Sequence, residues 1–63
     1  MTRLDYLLEI NKEYKNACNA NENRQPLVAW EAMHRVNSLC AELFTQYGVR
    51  IKYDKEADKV IEA

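Results

Sequence analysis

His34, Ser38 and Glu42 stand one and two turns apart on a segment that reads as one helix, and a base, a hydroxyl and a carboxylate at that spacing invite a catalytic reading. The geometry opposes it. Side chains on one straight helix point outward, and neither oxyanion donors nor a concave pocket that excludes water accompanies them. No catalytic residue is expected, and His34 reads instead as a solvated or partner-facing side chain.

Metal and cofactor chemistry fares no better. A structural zinc site needs four ligands, commonly as closely spaced Cys or His pairs, whereas Cys40 follows His34 by six residues and Cys18 lies far upstream. If the two helices described below form an antiparallel hairpin, Cys18 and Cys40 are separated by about 12 residues along it, or roughly 18 Å at the helical rise. A disulfide spans less than about 7 Å between Cα atoms. Both thiols are therefore read as reduced, and the compartment as cytosolic. Asp54, Glu56 and Asp58 suggest a calcium loop, but the central glycine and the closing glutamate of such a loop are missing. One glycine in the whole chain cannot build a phosphate-binding loop. No cofactor is expected.

Nine Lys and Arg oppose ten Asp and Glu, a formal charge of −1. A nucleic-acid binder ordinarily carries a basic excess and a mimic of DNA an acidic one. Arg24, Arg35, Arg50 and Lys52 are interleaved with Glu22, Glu31 and Asp54, so nucleic acid is not the expected partner. The longest apolar run, Leu27-Val28-Ala29 continued by Trp30, is too short for a membrane span or a secretory signal. The chain opens at Met1 and reads as a complete small protein.

The elements that would position these residues are marked by their own punctuation. Thr2 and Asp5 form a capping-box signature ahead of a first helix over residues 3–20. Leu4, Leu7, Leu8, Ile10, Tyr14, Ala17 and Cys18 predict its buried side. The asparagine-rich stretch 19–25 reads as a turn, and Pro26 suits the first position of a second helix. From Pro26 to Tyr47, Ala29, Ala32, Met33, Val36, Leu39, Cys40, Leu43, Phe44 and Tyr47 recur at helical spacing until Gly48, a natural left-handed cap. Val49, Ile51 and Tyr53 then alternate with Arg50 and Lys52 as a strand does. Residues 54–59 resemble a hairpin connection in which Asp58 takes the left-handed position, with 59–63 returning as a second strand. The competing reading starts a short third helix at Asp54; an unpaired lone strand argues against it. The expectation is a single α+β domain over residues 1–63, a helical hairpin followed by a short C-terminal β-hairpin.

A domain of 63 residues hides only about 60% of the surface its unfolded chain exposes. The apolar circumference of the second helix exceeds what one partner helix buries, and six aromatic residues are many for so small a core. Aromatic side chains are the usual anchors of protein interfaces. The residues expected at a partner surface are Tyr6, Trp30, His34, Arg35, Phe44 and Tyr53. Tyr6 and Trp30, at opposite ends of the hairpin, mark two patches, one for self-association and one for a target. The segment Thr2 to Leu8, with Asp5-Tyr6-Leu7-Leu8, resembles the start of the small helical Hha family, which modulates a nucleoid protein. The remainder has neither the spacing nor the composition of that family, so no residue role carries over. The functional expectation is a non-enzymatic regulator or inhibitor of bacterial or phage type that occupies a surface of a larger protein, itself a homodimer. The alternatives are a DNA-associated transcription or nucleoid regulator and a structural subunit of a homo-oligomeric assembly.

Overall fold

The computed structural model describes residues 1–63 and contains two helices, α1 (Arg3–Glu22) and α2 (Pro26–Tyr47), followed by two strands, β1 (Ile51–Asp54) and β2 (Lys59–Glu62). The first helix starts where the sequence predicts. Thr2 Oγ1 accepts the Asp5 N–H at 3.1 Å while Asp5 Oδ2 accepts the Thr2 N–H at 3.0 Å, which satisfies two amides that the first turn leaves free. The Thr2 N–H, followed by the Thr2 hydroxyl, holds the Asp5 carboxyl below its ordinary range.

The helix ends two residues later than expected, by a device without glycine. Gln25 N–H reaches back to Ala20 O at 2.8 Å and Arg24 N–H to Asn21 O at 3.1 Å, with Arg24 in the left-handed region at φ 55°. That is the Schellman arrangement, in which glycine normally occupies the left-handed position. At the far end of α2 the cap takes its usual residue: Gly48 has φ 67° and its N–H bonds Phe44 O at 2.8 Å.

The two helices pack antiparallel through Tyr6, Ile10, Glu13, Ala17 and Ala20 on α1 and Ala29, Ala32, Val36 and Leu43 on α2. Alanines meet beside the connecting turn, where small side chains let the backbones approach; the bulky residues fill the open end. The buried side of α1 differs from the expected one. Leu4 and Leu8 remain 65% and 62% exposed, while Tyr6 is 3% exposed. Positions 6, 10, 13, 17 and 20 follow an unbroken four-three spacing, a seam that stays opposite α2 along the whole helix. Leu4 and Leu8 lie outside that seam.

The strands pair antiparallel with Ile51 opposite Glu62, Lys52 opposite Ile61, Tyr53 opposite Val60 and Asp54 opposite Lys59, which settles the last nine residues as a hairpin rather than a third helix. Asp54 Oδ1 accepts the Glu56 N–H at 3.0 Å, and Asp58 sits in the left-handed region at φ 52°. Val60 closes a core with Tyr6, Ile10, Val36 and Leu43, joined by the partly buried Tyr14, Leu39, Cys40, Val49 and Ile51. The Cα trace measures 35 × 25 × 14 Å, a slab too thin for a second layer of interior residues.

Candidate partner-binding surfaces

A second polar contact decides where the hairpin rests. Asn11 projects from α1 toward β2, donates from Nδ2 to Val60 O at 2.9 Å and accepts the Val60 N–H on Oδ1 at 2.7 Å, while also donating to Leu7 O at 2.9 Å. Its amide copies the pairing that a neighbouring strand would offer, so the outer edge of β2 is closed by a side chain. Arg3 strengthens the same junction with a two-pronged contact to Glu62, both bonds 2.9 Å. Asn11 was not singled out from the sequence. Its signal is present, however: it is the lone amide on the side of α1 shared with Leu4, Leu7, Tyr14 and Cys18.

Docking the hairpin beside α1 leaves an open groove of about 870 Å³ between them, floored by Leu4, Leu7, Leu8, Tyr14, Cys18 and Ile61. Lys12, Lys15 and Lys59 stand on its rim with Glu22, Asp58 and Glu62. Tyr53 forms one wall. Its ring lies 5.7 Å from that of Tyr14, and its hydroxyl donates to the Asp58 carboxylate, which holds the phenol proton and pushes its pKa up to about 12.

On the other side of the slab, α2 exposes Trp30 at 65%, Met33 at 36% and Phe44 at 49%. A smaller cleft of about 350 Å³ continues this stripe to the base of β1, lined by Cys40, Phe44, Val49, Arg50 and Ile51. Arg50 covers the Phe44 ring at 5.2 Å, a cation over a π face. Loss of solvation pushes the Cys40 thiol up, which keeps it protonated and unreactive. Both cysteines are free, Cys18 exposed and Cys40 half-buried.

The six side chains expected to meet partners do not form one site. Trp30 and His34 stack at 5.2 Å with 10° between their planes, and they share the α2 side with Phe44. Tyr53 belongs to the groove on the α1 side. Arg35 is exposed on α2 but reaches across to α1, with Nε 2.7 Å from Glu13 Oε2, where it neutralises a carboxylate in a residue only 9% exposed. Tyr6 requires correction: it is a core residue, its ring edge-on to Tyr47 at 6.3 Å, and burial followed by the nearby Glu42 charge pushes its phenol up. The sequence marks Tyr6 as outside the leucine cluster, and the leucine cluster proves to be the exposed part.

His34 stacks on Trp30 and makes no hydrogen bond to Ser38 or Glu42. No three His, Cys, Asp or Glu side chains converge where a cation could be held. No helix is long and apolar enough to cross a membrane. No protein family, curated protein or solved structure matches the chain.

Proposed function

We propose that this protein is a non-enzymatic, cytosolic binding protein that regulates or inhibits a larger protein by covering part of its surface. The observation that carries this reading is the groove between α1 and the β-hairpin, where Leu4 and Leu8 remain largely exposed beside Tyr14, Cys18 and Ile61. Apolar side chains left along one side of a helix and walled by a second element form the kind of surface that receives an amphipathic element of a partner. The span from Leu4 to Cys18 is about 21 Å at the helical rise, room for roughly four turns of a partner helix.

The test is capture by wild-type protein and by a Leu4→Glu, Leu8→Glu variant, with photocrosslinking from position 8 to identify what lies in the groove. Both leucines are exposed, so the variant retains its helical circular dichroism. The expected result is a crosslinked partner that the variant no longer retains. Equal capture by both proteins overturns the reading. The DNA-associated alternative draws less support, because Arg3 and Arg35 are committed to Glu62 and Glu13. Binding to duplex DNA that weakens steeply with added salt would favour it instead.

A further inference from the structure

The two edges of the β-hairpin are treated differently. Asn11 occupies the N–H and C=O of Val60, so the Val60 and Tyr53 pair is one of those that exchange no hydrogen bonds with each other. The N–H and C=O of Tyr53 therefore point away from β2, and by the two-residue period those of Ile51 do the same. No side chain bonds either residue as Asn11 bonds Val60. This free edge lies on the α2 side, since Ile51 shares the smaller cleft with Cys40 and Phe44.

From this edge and the apolar stripe beneath it, we propose that a second copy of the chain pairs with β1 across a two-fold axis, giving a four-stranded sheet over two α2 helices packed side by side. Charge selects the register. Placing Ile51 opposite its own copy sets Arg50 against Lys52 of the second chain, and placing Ile51 opposite Tyr53 sets Arg50 against Asp54 twice but forces Lys52 against Lys52 at the axis. Placing Tyr53 opposite Tyr53 instead sets Lys52 against Asp54 of the second copy, twice by symmetry. Opposite charges facing across strands attract, and like charges repel.

The helices meet the same requirement independently. Tyr53 stacks on Tyr14, one residue from Glu13, which pairs with Arg35, so an axis through Tyr53 is level with the stretch of α2 around Arg35; Asn37 is the residue of that stretch that continues the Trp30, Met33 and Phe44 stripe. Antiparallel packing about Asn37 sets Phe44 against Trp30 of the second copy and Met33 against Ala41, so each bulky group meets an aromatic or a small neighbour. Positions 30, 33, 37, 41 and 44 keep the three-and-four spacing of a helix seam. One symmetry operation thus satisfies an unpaired edge, two ion pairs and an exposed apolar stripe. The groove lined by Leu4 and Leu8 shares only Tyr53 with this interface, so substitutions at Leu4 and Leu8 test target capture and Phe44→Glu tests self-association separately.

Sedimentation velocity of the wild-type protein over micromolar to millimolar concentrations tests the pairing. The expected species has twice the protomer mass. Lys52→Glu, which faces Asp54 with a like charge, raises the dissociation constant by about tenfold or more at low ionic strength, and added salt narrows the difference. Phe44→Glu raises it further. In a Cys18→Ser background, Asn37→Cys forms an intermolecular disulfide under mild oxidation, whereas Glu31→Cys on the other side of α2 does not. A monomer throughout the range, an unchanged constant in both charge variants, or equal crosslinking at positions 31 and 37 overturns the proposal.

Discussion

Replacing Asn11 with alanine tests whether one side chain holds the hairpin to the helices. The substitution removes three hydrogen bonds of 2.7–2.9 Å and strands the N–H and C=O of Val60, a residue only 6% exposed. Each buried group left unpaired costs about 1–3 kcal/mol. The lower end applies, because the edge of a thin slab admits water, so the gross loss is about 2–3 kcal/mol. Alanine favours the helix by about 0.5 kcal/mol over asparagine, which offsets part of it. The net effect is about 2 kcal/mol, against a total stability of about 3–9 kcal/mol for a chain this long. With an unfolding entropy of about 0.13 kcal/mol/K, the melting temperature falls by about 15 °C. Thermal melts followed by circular dichroism read this directly, with Asn16→Ala on the exposed side of α1 as the matched control. Hydrogen exchange at the Val60 amide should accelerate in step. Asn11→Asp adds a sign: its carboxylate accepts from Val60 N–H but faces Val60 C=O without a proton to donate. That variant should therefore recover stability on acidification through the carboxylate range. If Asn11→Ala melts within about 3 °C of the Asn16→Ala control, the hairpin is held by something else and the argument is refuted.

Three further outcomes follow from the geometry. Leu43 is fully buried at the junction of both helices and the hairpin, so Leu43→Ala should cost about 3 kcal/mol and lower the melting temperature followed by circular dichroism by about 23 °C. Arg24 and Gly48 share a left-handed backbone but differ in residue, so Arg24→Gly should stabilise and Gly48→Ala destabilise, each by about 1 kcal/mol in urea titrations. The Tyr53 phenol is raised from 10.0 to about 12 by its bond to Asp58, so the folded state favours the protonated form. Its contribution is whole below pH 10 and lost as the pH climbs toward 12, a loss that Tyr53→Phe should reduce in alkaline melts.

Much of the scaffold could be read along the chain because helix ends and strand periods are local properties. Thr2 with Asp5, Pro26 and Gly48 act on backbone groups within four residues of themselves, and each does in the structure what its chemistry implies. Asp58 likewise adopts the left-handed conformation the hairpin turn demands. The end of α1 was less legible, since Arg24 occupies a conformation that arginine does not advertise. The expected partner residues divided for a related reason. Trp30 and Phe44 lie too far round α2 from Ala32 and Val36 to reach α1, which periodicity alone indicates. Arg35 depends on a carboxylate 22 residues earlier, and no local pattern pairs it with Glu13.

The order of elements, most of their ends and the small charge were determined by the amino-acid sequence itself, because each depends on residue type and short-range spacing. Which side of α1 turns inward was decided only in three dimensions. Leu4, Leu7 and Leu8 form the denser apolar group, yet the seam through Tyr6 and Ile10 is the one that runs opposite α2 for the length of the helix, and packing rewards continuity over local hydrophobicity. That choice placed Tyr6 inside and left the leucines to line a groove. The same long-range placement gave Asn11 its strand partner and closed one edge of the hairpin while leaving the other unpaired.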